Sequence, residues 1–388
     1  MQPLSLRAIL TTVVMLAVVL GAVLLARTLR RTEERAALDE ARSGAASPPE
    51  EEAVILAKAR AARRAQPTSS THAETPAEES ARLDALRKLQ VVRFGSAIPP
   101  APVAQPPHAE IISEVRLTLA EIADRPNYAP RRPMLLPKLV GAINDDSISR
   151  RELGQIIASD PALTGNLLRL ANSPFYRIQS DPIESLDRAI AVLGLEGMRS
   201  LISAALLQPV FRITGGLFVN FGEITWEHSL RAASAAEAHA AIVENSDPFA
   251  AQLLSLMLGL GTMVVFRVGL DGYQTRNQSP HVGVLAMLID TESAPVARRV
   301  GATWALSERI DAALADQATM AAARHSSLGR SLQFGSFLGA LAVLRARNVI
   351  SDEAVAAALK CGGSQGPTYE RIWTRLNPPP NSAPEARS

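Results

Sequence analysis

Six histidines and one cysteine are the residues of this 388-residue chain best suited to metal or nucleophilic chemistry: His72, His108, His228, His239, His281, His325 and Cys361. Imidazole and thiolate hold transition metals and activate water when three or four of them stand at short, regular spacing. Here they are scattered. A lone cysteine permits neither an intramolecular disulfide nor a CxxC site. His228 and His239 would share a helix face, but eleven residues of helix set them about 16 Å apart, too far for one ion. The chain has no HExxH, GxSxG, P-loop, EF-hand loop or GxGxxG following a strand. The GGDEF and EAL signatures are also absent. The sequence therefore assigns no catalytic, cofactor-binding or metal-ligating residue and calls for no cofactor.

The most informative stretch is chemically empty. Residues 253–263, LLSLMLGLGTM, contain no group that titrates near neutral pH. The wider run 249–266 is uncharged and long enough to be weighed as a membrane span. Gln252, Ser255, two glycines and Arg267 immediately after it count against that.

A true span is expected at the other end. Residues 8–26, AILTTVVMLAVVLGAVLLA, would reach about 28 Å as a helix, close to the hydrocarbon thickness of a bilayer. The run is longer than the core of a signal peptide and ends on Arg27, Arg30 and Arg31. The larger positive cluster follows it, so the expected topology is a single pass through the inner membrane with the bulk of the chain cytoplasmic.

Residues 32–108 change to Ala, Glu, Arg, Pro and Ser, ending in IPPAPVAQPPH. They read as a largely disordered tether, with possible short helices at 51–64 and 78–92. The basic run 60–66 reads as a solvated helix face. From about residue 110 the pattern is helical throughout. Hydrophobic residues are 47% and aromatics only 4%, a balance that suits helices better than sheets. Ser149 and Glu152 form a capping box, and Asp160-Pro161 starts the next helix. Helices are expected near 185–193, ending at Gly194, then at 196–207, 224–244, 248–268, 293–304, 307–323 and 328–346. Two more follow, one from Ser351 and one at 368–376. The domain expectation is an anchor at 1–31, a linker at 32–108, a helical domain at 109–348 and C-terminal helices with a disordered tail at 349–388.

Two segments carry a family resemblance: SDPALTGNLLRLANSPFY (159–176) and LDRAIAVLGLEGMRSL (186–201). With Trp226-Glu227-His228-Ser229 and GATWALS (301–307), they resemble the HDOD domain, the HD-related output domain of bacterial signalling proteins. The resemblance spans roughly 127–345. It implies an all-α bundle related to HD-type phosphohydrolases. In catalytic relatives an adjacent His-Asp pair binds metal late in a core helix; here Leu258 and Gly259 stand in those places. His228 falls near the first histidine of the pattern. Gln317 replaces a later histidine, and no Asp occurs between Asp316 and Asp352. The resemblance thus makes 253–263 a buried helix in which apolar packing replaces the metal site. Asn172 reads as a capping and turn residue.

The expected function is a non-catalytic, membrane-tethered signalling or scaffold module that binds other signalling proteins. The alternatives are a nucleotide sensor and a degenerate metal-dependent phosphohydrolase. A net charge of +2 gives no reason to expect nucleic acid.

Overall fold

Thr75 and Glu78 open the first helix with a reciprocal cap. The Thr75 hydroxyl accepts from the Glu78 amide at 3.2 Å, and the Glu78 carboxylate accepts from the Thr75 amide at 3.4 Å. Helix α1 then runs Pro76–Phe94 and stops at Gly95, whose φ of 65° ends it in a left-handed turn. The computed structural model describes residues 75–125, 127–128, 150–158, 161–173, 176–177, 181–207, 217–318 and 325–377. The expected anchor at 8–26, the linker up to residue 74, the caps at Ser149 and Asp160, His72 and the tail from 378 lie outside them.

After α1 come α2 (His108–Ala120), a 3₁₀ turn (Ile122–Asp124), α3 (Arg150–Ala158), α4 (Pro161–Ala171) and α5 (Leu186–Leu207). Then follow α6 (Phe221–Ile242), α7 (Pro248–Thr275), α8 (Val282–Thr303), α9 (Glu308–Asp316) and α10 (Ser327–Ala346). Helices α11 (Asp352–Lys360) and α12 (Gly366–Leu376) complete the order, and no strand occurs among the described residues. The fold is all-α.

Gly194 breaks α5 as expected: its φ of 68° divides the helix into two parts. Helix α8 begins eleven residues earlier than the expected 293 and runs through Pro295. Its first turns bury Val284, Leu285 and Leu288, and that burial offsets the hydrogen bond proline removes. Helix α9 ends at Asp316, short of the expected 323. Ser351 caps α11 by accepting from the Ala354 amide at 3.3 Å.

The ordered body also begins earlier than expected. Residues 75–108, assigned to the tether from their Pro- and Ala-rich composition, form α1 and a packed connection. Ala85 and Leu89 are buried against α6 and α10, and Phe94 is buried against Phe221 and Phe266. The spacing of Ala85 and Leu89 puts both on one helix face, and that face has a partner. Helix α6 packs on both α7 and α10. The α6–α10 contact is close because both helices present small residues. A Cβ on Gly339 would stand 2.7 Å from the Ala232 amide nitrogen.

Candidate functional site

Residues 253–263 lie inside α7. Leu253, Leu254, Leu256, Met257, Leu260 and Met263 are at most 2% exposed. This is a core helix rather than a surface one. Leu258 packs against the same cluster and Gly259 is buried. A Cβ on Gly261 would stand 2.2 Å from the Ser293 carbonyl oxygen, so only glycine lets α7 and α8 approach this closely. Thr262 donates to the Leu258 carbonyl at 3.1 Å and lies 3.2 Å from the Ser293 hydroxyl. Among the described residues, no group of three or more His, Cys, Asp or Glu side chains is arranged to hold a metal.

His228 on α6 is buried between α1 and α10. Its Nδ1 lies 3.1 Å from the Arg93 guanidinium, and its Nε2 lies 3.0 Å from the Ser336 carbonyl oxygen. A guanidinium only donates and a carbonyl only accepts, so Nδ1 must accept and Nε2–H must donate. That fixes the tautomer and commits both nitrogens. Burial, with the Arg93 charge beside it, pulls the ring down to about 3, so it is neutral at physiological pH. Burial also lowers Arg93, to about 10, against the opposing charge of Asp290. Three residues back on α1, Gln90 donates to Asp290 at 3.0 Å.

His239, three turns on, is also buried. The Ser331 hydroxyl spends its proton on the Ser327 carbonyl at 2.9 Å, so it accepts from His239 Nδ1–H at 3.1 Å. The ring stacks on Phe334 with centres 4.4 Å apart. Burial, then the Arg330 charge, pulls it to about 3. Arg330 itself donates to Glu244 at 2.8 Å. His325 is buried at the head of α10. His108 and His281, distant in sequence, are brought together, which no sequence spacing signalled.

Asn172 has the turn role expected of it. Its amide nitrogen donates to the Leu168 and Ile183 carbonyls at 2.9 and 2.8 Å, and its oxygen accepts from the Ile183 amide at 2.7 Å. It brackets the chain between α4 and α5.

A groove of about 1110 Å³ runs along one face of α6. Glu223, Trp226, Glu227, Leu230, Arg231, Ser234 and Glu237 line its floor at helical spacing. Tyr176, Arg177, Arg375 and Leu376 also line it. Glu227 accepts from Arg231 at 3.1 Å and from Arg347 at 2.9 Å. Burial raises the Tyr176 hydroxyl well above its ordinary range. The sequence offered Trp226 and Glu227 as motif residues only; the groove also takes lining residues from α5 and α12, which local spacing does not encode.

Residues 129–320 match the HDOD domain family. Among solved structures, the chain is similar to a candidate metal-dependent phosphohydrolase from Shewanella amazonensis: 17% identity, 67% of this chain and 99% of that one, TM-score 0.45. It is similar to an HDOD domain protein with unknown function from Geobacter sulfurreducens: 20% identity, 67% and 89% covered, TM-score 0.44. A candidate phosphohydrolase from Shewanella amazonensis gives 14% identity, 68% and 92% covered, and a TM-score of 0.46. No curated protein matches the chain.

Proposed function

We propose, from the HDOD match over residues 129–320, that this chain is a non-catalytic signalling module, held at the inner membrane by residues 8–26, that binds other signalling proteins. The observation that supports this most directly is the state of His228. Both its nitrogens are committed inside the protein, to Arg93 and Ser336, while Leu258 and Gly259, in the places of the resemblance's His-Asp pair, offer no donor. A hydrolase of this resemblance would need those positions free and ligating.

The groove on α6 supplies a surface for recognition: an aromatic anchor at Trp226, ringed by charges of both signs. Anchoring raises the local concentration of a membrane-bound partner, and the linker sets the reach.

Crosslinking in intact cells, followed by recovery of the full-length protein and mass spectrometry, tests the reading. A specific signalling protein should be recovered, lost when residues 75–388 are deleted and depleted by Trp226→Ala. Recovery of nothing above background overturns the scaffold reading. A second reading rests on the same groove, since a lining that includes Trp226, Arg177, Arg231 and Arg375 would also suit a nucleotide. A nucleotide-dependent rise in melting temperature, lost in Trp226→Ala, would favour it. Stoichiometric metal removed by His228→Ala would favour an enzyme over both.

A further inference from the structure

His108 is the first residue of α2, His281 immediately precedes α8, and Tyr273 lies in the last turns of α7. The fold gathers the three at one edge of the bundle. The His108 Nδ1 lies 2.8 Å from the Tyr273 hydroxyl, and Tyr273 is fully buried. The His108 and His281 ring centres are 5.1 Å apart. Their planes meet at 61°, edge to face, and two imidazoles on one tetrahedral ion at about 2.1 Å would put their ring centres at a similar separation of about 5 Å. A second observation is independent of the first. The His281 Nδ1 is buried and has no hydrogen-bond partner among the described residues. A buried polar atom without a partner points to a water or an ion.

We propose that His108 and His281 bind a borderline transition-metal dication, Zn²⁺ or Ni²⁺, with water completing its coordination. Two neutral imidazoles with neither thiolate nor carboxylate select such ions over Mg²⁺ or Ca²⁺. His108 coordinates through Nε2, the nitrogen that Tyr273 leaves free, and the metal selects the tautomer whose Nδ1–H donates to the Tyr273 oxygen. Tyr273 is a positioning residue, orienting His108. The local charge does not oppose a cation: Arg276 pairs with Glu110 at 2.5 Å and Glu114 at 3.2 Å, leaving one negative charge in excess.

The site would act as a clip. Residues 97–107 connect α1 to α2 and lie against α8, where a Cβ on Gly283 would stand 2.1 Å from the Pro99 carbonyl oxygen. Metal across His108 and His281 would fasten the end of this connection to the α7–α8 turn.

The experiment is equilibrium dialysis of the full, tag-free chain in detergent against Zn²⁺, Ni²⁺ and Mg²⁺, with bound metal measured directly. One saturable equivalent of Zn²⁺ or Ni²⁺ and no Mg²⁺ is expected. His108→Gln and His281→Gln should each abolish it, with helical circular dichroism unchanged. Tyr273→Phe should weaken it about 10- to 100-fold. His228→Ala and His72→Ala should leave it in place, which separates this site from any hydrolase-like centre. Absence of saturable binding, or binding that survives either glutamine variant, overturns the proposal.

Discussion

The bundle holds two apolar clusters that share helix α6 as a wall. The larger draws mainly on α2 to α9, most of which fall within the HDOD match, with Phe94 from the end of α1 and Leu328 and Leu332 from the start of α10, and centres on α7. The smaller is built from Ala85 and Leu89 of α1, the second half of α10, Val355 and Leu359 of α11, and Tyr369 and Ile372 of α12, with Ile224, Ala235 and Ala238 of α6. Except for those α6 residues, its parts lie outside 129–320, on both sides of it. The chain thus takes a helix from before the matched region and three from after it, and joins them on the far face of α6. The clusters also differ in polarity. The buried polar groups of α7 are the uncharged Gln252, Ser255 and Thr262, whereas the α6–α10 seam beside the smaller cluster holds Arg93, His228, His239 and the Arg330–Glu244 pair. The smaller cluster is therefore where pH and polar substitution should act first.

Acid should produce the largest effect. His228 and His239 sit near 3 in the folded protein, against about 6.5 in the unfolded chain. Their folded values are depressed, so as pH falls below 6.5 the unfolded state takes up protons that the folded state refuses. Stability is full above about pH 6.5 and is lost as pH falls toward 3, at up to about 1.4 kcal/mol per pH unit for each ring. Denaturation followed at pH 7, 6 and 5 should give that slope, and His239→Gln should halve it. Hydrogen exchange should show α10 and α12 losing protection before α7. Simultaneous loss in all three would mean that the two clusters melt as one unit.

Cavity-forming substitutions sharpen the same distinction. Leu260→Ala in the larger cluster and Leu344→Ala in the smaller one both truncate side chains with no exposure. Each should cost about 2–5 kcal/mol. The transitions should differ in form: Leu260→Ala lowers a single midpoint, while Leu344→Ala splits off an earlier phase if the smaller cluster opens alone. Matching single transitions by calorimetry would remove that separation.

Arg93 joins the clusters chemically. Arg93→Ala leaves the His228 Nδ1 buried without a donor, which should cost about 1–3 kcal/mol. It should also raise the His228 pKa, because the Arg93 charge helps to depress it. An NMR titration of the imidazole reads this directly. Pairing Arg93→Met with His228→Phe removes both polar partners and should recover much of the loss. If the pair is as unstable as Arg93→Ala, the contact matters through packing rather than through its hydrogen bond.

What could be read from the sequence followed how local each signal was. The Gly194 break, the Ser351 cap and the apolar α7 depend on residues a few positions apart, and periodicity or a single cap residue reveals them. The early start of α8 was hidden because Pro295 reads as a helix opener, and only the burial of Val284, Leu285 and Leu288 outweighs it. Helix α1 was visible as a pattern, yet its proline- and alanine-rich surroundings gave no hint that Ala85 and Leu89 have a partner. The site contacts were the least legible. Arg93 meets His228, and His108 meets Tyr273 and His281, across more than a hundred residues, so they exist only once the helices are packed.

The smallest effect tests whether α1 belongs to the body or is strapped onto it. Thr75→Ala removes the hydroxyl that accepts from the Glu78 amide and the contact to the Cys361 carbonyl at 3.5 Å. A lost N-cap costs about 1 kcal/mol. If α1 is integral, that cost lowers the midpoint of the whole smaller cluster, because Glu78 also accepts from the Tyr369 hydroxyl at 3.1 Å and couples the start of α1 to α12. If α1 is a strap, exchange rises only at the amides of its first turns and the midpoint holds. The buried Leu89, Arg93 and Phe94 at its other end favour the first outcome, since a helix anchored in both clusters cannot fray without opening a core.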